Sequence, residues 1–176
     1  MVYDREQVFA VQGMTAVFMY EHIKRKLDMK KVEIYTDGAC KGNPGPGGYG
    51  TILVYGGKEK ELSGGEAKTT NNRMELMAVI AGLEALREPC EIVLTSDSTY
   101  VIHALTKRWV DNWKRKNWMK NASTPVPNAD LWKRLLAAAE PHSITWVWVR
   151  GHAGHPQNER CDRLAVAAAE RYTFQD

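Results

Sequence analysis

Val32-Glu33-Ile34-Tyr35-Thr36-Asp37 reads as a strand, and the glycine- and proline-rich run behind it, Gly42-Asn43-Pro44-Gly45-Pro46-Gly47-Gly48, reads as a turn. Tyr49 to Tyr55 supplies a second strand, Gly56-Gly57 a hairpin turn, and Lys58 to Gly64 a third strand, so three strands close in sequence predict an antiparallel meander. Leu76, Val79, Ile80, Leu83 and Leu86 recur at helical spacing and predict an amphipathic helix over 71–87 packed on that sheet. A strand over 91–97 follows the helix, which implies a parallel crossover that places it beside the first strand. Helical stretches run with breaks through 98–120, again through Ala129 to Glu140 after the Pro125 and Pro127 loop, and over 157–171 after the Gly151 to Pro156 loop. Between the last two, 143–149 alternates Ile144, Trp146 and Trp148 with Thr145, Val147 and Val149, as a strand does. The expected fold class is α/β in its mixed α+β form: a five-stranded mixed sheet flanked by helices, with Asp37 and Asp97 on adjacent strands near its centre.

The 176 residues are enough for one ordinary domain with a sizeable core. A net charge of +3 is only mildly basic, so a polyanionic partner has to be met by a local concentration of Lys and Arg. Cys40, Cys90 and Cys161 are odd in number and lack C-x-x-C spacing, which speaks against a disulfide framework or a zinc site and for a reducing compartment. The apolar run from Val8 to Tyr20 is too short to span a bilayer, is interrupted by Gln12 and Gly13, and has its Lys24-Arg25-Lys26 cluster on the wrong side for a secretory signal. A cytoplasmic protein without a membrane segment is therefore expected, and a monomer is the expected state, although the sequence itself does not give the oligomeric state. Residues 1–28 have a helix-like composition with weak apolar periodicity and read as an N-terminal extension of unknown role, ahead of a domain over 29–176.

Asp37, Glu75, Asp97 and Asp162 sit in four unrelated local contexts, yet the expected topology brings all four towards one edge of the sheet. Each has a plain alternative: Asp37 as a turn former, Asp97 as a helix cap, Glu75 as the third residue of a capping box with Asn72, and Asp162 as a solvated helix charge. Gathered together, four carboxylates repel one another and call for cations. Oxygen-only ligands suit Mg²⁺, with Mn²⁺ as a substitute, and two such ions roughly 3.5–4 Å apart can drive in-line displacement at a phosphodiester. Asp37, on the first and central strand, is the choice for the carboxylate shared by both ions. His152, flanked by glycine in Gly151-His152-Ala153-Gly154-His155-Pro156, could accept or relay a proton near neutral pH, assist product release, or be an exposed loop histidine. Reading His152, His155 and Cys161 as zinc ligands is weaker, for want of a paired cysteine. Lys107, Arg108, Lys114, Arg115, Lys116 and Lys120 concentrate positive charge, with Trp109, Trp113 and Trp118 among them and Asp111 opposing. Such a segment can neutralise phosphates and pack against sugar or base, or it can be a helix with a tryptophan core stripe and a solvated face.

With these motifs in place, the chain resembles bacterial-type ribonuclease H of type 1 over about residues 31–171. The resemblance is carried by Tyr35-Thr36-Asp37-Gly38 with the run from Gly42 to Gly50, by Thr69-Thr70-Asn71-Asn72-Arg73-Met74-Glu75-Leu76, by Thr95-Ser96-Asp97-Ser98, and by Gly151 to Pro156 with Asn158-Glu159-Arg160-Cys161-Asp162. It implies a ribonuclease H fold and metal-dependent endonucleolytic cleavage of the RNA strand of RNA–DNA hybrids, leaving 5′-phosphate and 3′-hydroxyl ends. It further implies that Asp37, Glu75, Asp97 and Asp162 bind the metal and that His152 is the family's loop histidine. Cys40, Asn43, Asn71 and Asn72 match positions that contact the hybrid's minor groove, where an RNA 2′-hydroxyl is detected. Thr70 matches a DNA-phosphate contact, and 107–120, with Trp109, Trp113, Lys114, Arg115 and Lys116, the basic protrusion that holds the DNA strand. Thr99 departs from the pattern, standing where a glutamine contacting the hybrid is expected. Residues 1–28 have no counterpart in the bacterial core family; an upstream-start artefact, an accessory helix and a partner-binding segment are the open readings. A non-catalytic hybrid-binding module on the same fold is the alternative, and the complete set of four acids argues against it.

Overall fold

The computed structural model of the protein describes residues 20, 28–151 and 153–173. The chain divides into two units, Met1–Lys30 and Lys31–Asp176, and the expected extension over 1–28 lies almost wholly outside the described residues. The elements run β1 (Lys30–Cys40), β2 (Gly45–Tyr55), β3 (Lys58–Thr69), α1 (Asn71–Glu84), β4 (Cys90–Ser96), α2 (Thr99–Thr106), α3 (Trp109–Arg115), α4 (Ala129–Ala139), β5 (Ser143–Trp148) and α5 (Pro156–Glu170). The five strands form one sheet in the order β3-β2-β1-β4-β5. β2 pairs antiparallel with β1 and β3, and β4 pairs parallel with β5. The sheet is mixed, and β1 is its central strand.

The first two strands extend further than the glycine–proline tract suggests. β1 continues through Gly38, Ala39 and Cys40, and β2 takes Gly45 to Gly48 into the ladder, pairing Cys40 with Gly47. Pro46 has no N–H to offer a neighbouring strand. The register between β2 and β3 shifts at this point, between Gly45 and Gly47, while the Pro46 carbonyl accepts from the Lys41 N–H at 2.8 Å. Glycine is needed here for closeness: a Cβ at Gly50 would fall on the Cys161 carbonyl, and one at Gly48 on that of Ala165. α5 meets these glycines with Cys161, Ala165, Ala168 and Ala169, all fully buried. Thr51, the next residue along β2, faces the other way and donates its hydroxyl to the Ala78 carbonyl of α1 at 2.6 Å.

The larger core lies between the sheet and α1, α2 and α4. Ile34, Leu76, Val79, Ile80, Leu83, Ile92, Leu94, Ile102, Trp132 and Leu135 pack there. Each large aliphatic removed from water contributes about 1.5–3 kcal/mol. Trp132 is completely buried, and its indole N–H is satisfied by the Tyr100 hydroxyl at 3.0 Å. The region expected to be helical over 98–120 is two helices followed by a turn, in which Asn117 and Trp118 adopt left-handed backbone. β5 turns Ile144 and Trp146 towards this core but leaves Trp148 exposed. Among the described residues, no helix is long and apolar enough to cross a membrane.

Candidate active site

Four elements bring acids to one end of the central strands. β1 carries Asp37 opposite Gly50, Asp97 is the first residue beyond β4, α1 supplies Glu75 and α5 supplies Asp162. Oxygen atoms of Asp37, Glu75 and Asp97 lie within 4.8 Å of one another. Asp162 lines the same open hollow of about 350 Å³, with Asn71, Asn72 and Thr99 on its rim. Gly38 makes the approach possible, because a Cβ there would land on the Glu75 backbone nitrogen. The first turn of α1 can therefore press directly against β1.

The plain alternatives for Asp37, Glu75 and Asp97 fail on local geometry. Ser98, not Asp97, caps α2, its hydroxyl accepting from the Val101 N–H at 3.3 Å. Thr70 caps α1, accepting from the Arg73 N–H at 3.4 Å, so Arg73 holds the capping-box position and Glu75 lies two residues beyond it. Asp37 is inside a strand rather than at a turn, and Asp162 is half-buried.

Burial drives the Asp37 carboxyl up to about 7, and the charges of Asp97 and Asp162 push the same way against a 2.8 Å hydrogen bond from the Gly38 N–H. Glu75 is raised well above the ordinary carboxylate range, first by burial and then by Asp37 and Asp97, although the Asn71 amide donates to it at 3.4 Å. Its second oxygen is buried without a partner. Crowded, dehydrated carboxylates with an unused acceptor and, among the described residues that line the hollow, no basic side chain fit a hard divalent cation.

Two side chains that sequence reasoning overlooked hold Asp97. Asn158, 3% exposed, donates its amide to Asp97 Oδ2 at 3.3 Å, and the Trp148 indole donates to the Asp97 backbone carbonyl at 3.0 Å. Asn158 precedes Asp162 by four residues, a spacing that places both on one face of α5 and could have marked it. Trp148 gave no such signal, since the strand alternation pointed it inward.

The other candidates fall into two groups. Cys40, Asn43, Thr70, Asn71 and Asn72 share one rim: the Cys40 thiol lies 3.5 Å from the carbonyls of Gly45 and Thr69, and Asn43 Oδ1 accepts from the Asn71 N–H at 3.4 Å. Lys114 and Arg115 line a second hollow of about 570 Å³ with Lys107, Arg108 and Asp111, and Lys116 is exposed just beyond α3. Trp109 is half-exposed, with Lys107 Nζ 5.8 Å from its ring. Trp113 instead packs its ring 5.5 Å from that of Trp132. His152 lies outside the described residues. The zinc alternative gains nothing: the Cys161 thiol donates to the Tyr35 carbonyl at 3.2 Å and is pushed up to about 12, chiefly by burial. Among the described residues, Asp37, Glu75 and Asp97 are the group placed to hold a metal.

Residues 29–170 match the RNase H family model. A ribonuclease H of Escherichia coli O139:H28 is 59% identical over 148 residues, which is 84% of this chain and 95% of that protein. One from Shewanella sp. (strain ANA-3) is 60% identical over 143 residues, 81% of this chain and 90% of that one. Among solved structures, LC9-RNase H1, a type 1 RNase H with the type 2 active-site motif, is 35% identical with a TM-score of 0.74, covering 82% of this chain and 74% of its own. LC11-RNase H1, solved in complex with RNA/DNA hybrid, shares the fold at 22% identity and a TM-score of 0.62, over 81% of this chain and 99% of its own.

Proposed function

The chain belongs to the RNase H family, type 1, and is an endoribonuclease; on that premise we propose that it uses Mg²⁺ to hydrolyse the RNA strand of RNA–DNA hybrids, leaving 5′-phosphate and 3′-hydroxyl ends. The observation that carries this reading is the trio Asp37, Glu75 and Asp97, with oxygens within 4.8 Å of one another in a hollow that Asp162 also lines. A pair of divalent ions, once bound with substrate, supplies activation of the attacking water and stabilisation of the leaving oxygen.

The chain's own residues do the rest. Asp37, on the central strand, would be the shared carboxylate, and Glu75, Asp97 and Asp162 would complete the set that holds the metal. Asn158 and Trp148 keep Asp97 aimed into the hollow. Cys40, Asn43, Asn71 and Asn72 meet the minor groove, where the 2′-hydroxyl identifies the RNA strand. Thr70 meets a DNA phosphate. Lys114, Arg115 and Lys116 neutralise the DNA backbone, with Trp109 and Trp113 beside them. His152 relays a proton near neutral pH. We assign residues 1–28 to an extension and 29–176 to the ribonuclease H domain, and place the protein in the cytoplasm as a monomer. Three free cysteines and a family match that begins at residue 29 support this assignment.

One assay tests the reading: labelled hybrid, RNA duplex and DNA duplex are each incubated with Mg²⁺ or with EDTA. Cutting of the hybrid's RNA strand with Mg²⁺ alone is expected. An uncut hybrid, or a cut DNA duplex, overturns it.

A further inference from the structure

Trp109 and Trp148 are 43% and 45% exposed, far more than a tryptophan engaged in a core. One exposed tryptophan needs no explanation; two joined through a third ring do. His103 of α2 stands between them, its ring 6.4 Å from Trp109 and 6.5 Å from Trp148. The row runs between the two hollows. At one end the Trp148 indole N–H is held by the Asp97 carbonyl beside the acids. At the other, Trp109 adjoins the hollow lined by Lys107, Arg108, Lys114 and Arg115, where the acid present, Asp111, is paired with Arg108 at 2.8 Å.

We propose that His103, Trp109 and Trp148 form a stacking platform for the unpaired bases of a single-stranded extension adjoining the hybrid. The proposal rests on the hybrid-cleaving reading and adds a second kind of nucleic acid contact to it. Charge selects a polyanion as the occupant, since the basic hollow continues the row and Lys107 Nζ lies 5.8 Å from the Trp109 ring. Ring geometry selects unpaired bases. Inside a duplex both faces of every base are covered by neighbours, whereas a single strand offers free faces to aromatic side chains. His103 is edge-on to Trp109 at 82° and tilted from Trp148 by 40°. Rings set at such angles suit bases splayed along a flexible strand and do not suit a continuous rigid stack. Trp113 marks the contrast, because its ring is taken by Trp132 and offers no comparable face.

The test measures binding of the full chain in EDTA by fluorescence anisotropy, using a blunt hybrid and hybrids that carry a four-nucleotide extension on either end of either strand. At least one extended hybrid is expected to bind about fivefold or more tightly than the blunt one, the gain of one well-stacked base. The gain should vanish when the extension is abasic, shrink severalfold in His103→Ala, and persist in His103→Phe, which keeps a ring. His103 is not among the residues that line the acidic hollow, and melting temperatures of both variants report whether they are folded. Equal affinity for blunt and all extended hybrids, a gain that survives abasic substitution, or a gain indifferent to His103→Ala overturns the platform. Cleavage of the blunt hybrid with Mg²⁺ by the unaltered protein reports separately on the hybrid-cleaving reading, so the two ideas fail by different signs.

Discussion

The acidic hollow takes its side chains from positions 37, 75, 97 and 162, on four elements, whereas the basic hollow takes nearly all of its from 107 to 115, on α3 and the turn before it. Among the described residues, Asp37 and Glu75 of the first are buried and short of compensating charge, whereas the basic side chains of the second are exposed to solvent. A buried cluster of like charges is relieved by a bound proton or by a counterion, and a cation that serves there has to match a fixed geometry. Exposed guanidinium and ammonium groups are comfortable in water and can follow a backbone loosely. On the proposed reading, the chemistry is fixed by the sheet and two long helices, and the handling of the strand is left to a seven-residue helix.

Replacing Asp37 by Asn tests the buried half and should have the largest effect. Hybrid cleavage is expected to fall on the order of 10²–10³-fold or more, the scale of losing a preorganised electrostatic partner. Stability should move in the opposite direction. With the folded carboxyl at about 7 against an ordinary value of 3.8, the unfolded chain releases its proton first. Metal-free stability therefore declines as pH rises from 3.8 to about 7 and is level above it. At pH 8 in EDTA the Asn variant should be more stable by on the order of 2–4 kcal/mol, with a flatter profile between pH 4 and 7. Thermal melts across that range decide it: a metal-free variant less stable than the parent at every pH would show that the acids do not repel as described.

A smaller effect is expected from the open half. Changing Lys114, Arg115 and Lys116 together to Ala should weaken hybrid binding and flatten its dependence on salt by a log–log slope of up to about 3. The EDTA melting temperature should hardly change, because all three side chains are exposed. An unaltered slope would place the phosphate contacts elsewhere. The smallest effect is expected at the join between α1 and the sheet. Thr70→Ala removes the cap of the helix that carries Glu75 and should cost about 0.5–2 kcal/mol, read as a drop in melting temperature.

The two hollows also differ in how far the sequence exposed them. The basic one was visible as a run of like charges, because its members are neighbours in the chain. The acidic one needed the strand order, and the crossover from β3 through α1 to β4, which lands beside β1, was legible since a helix between two strands leaves few topologies. What hid was closeness. Gly45 to Gly48 looked like turn material, yet they pair as strand: Gly48 answers the approach of α5, Gly47 that of Thr69 and Met74, and Gly45 lies against the Lys41 carbonyl. Asn158 and Trp148 escaped notice for a related reason: their partner is Asp97, 61 and 51 residues away along the chain. Nothing local announces a hydrogen bond of that reach.

The glycine and alanine contact between β2 and α5 also limits how this sequence can change over time. A side chain gained at Gly48 or Gly50 meets the backbone of the helix, which no rotamer can relieve. α5 would have to shift, and Asp162 would shift with it. Tolerated change at this seam must therefore come as matched substitutions on both elements, and single-step variants should be rare among functional descendants even though neither glycine touches the chemistry.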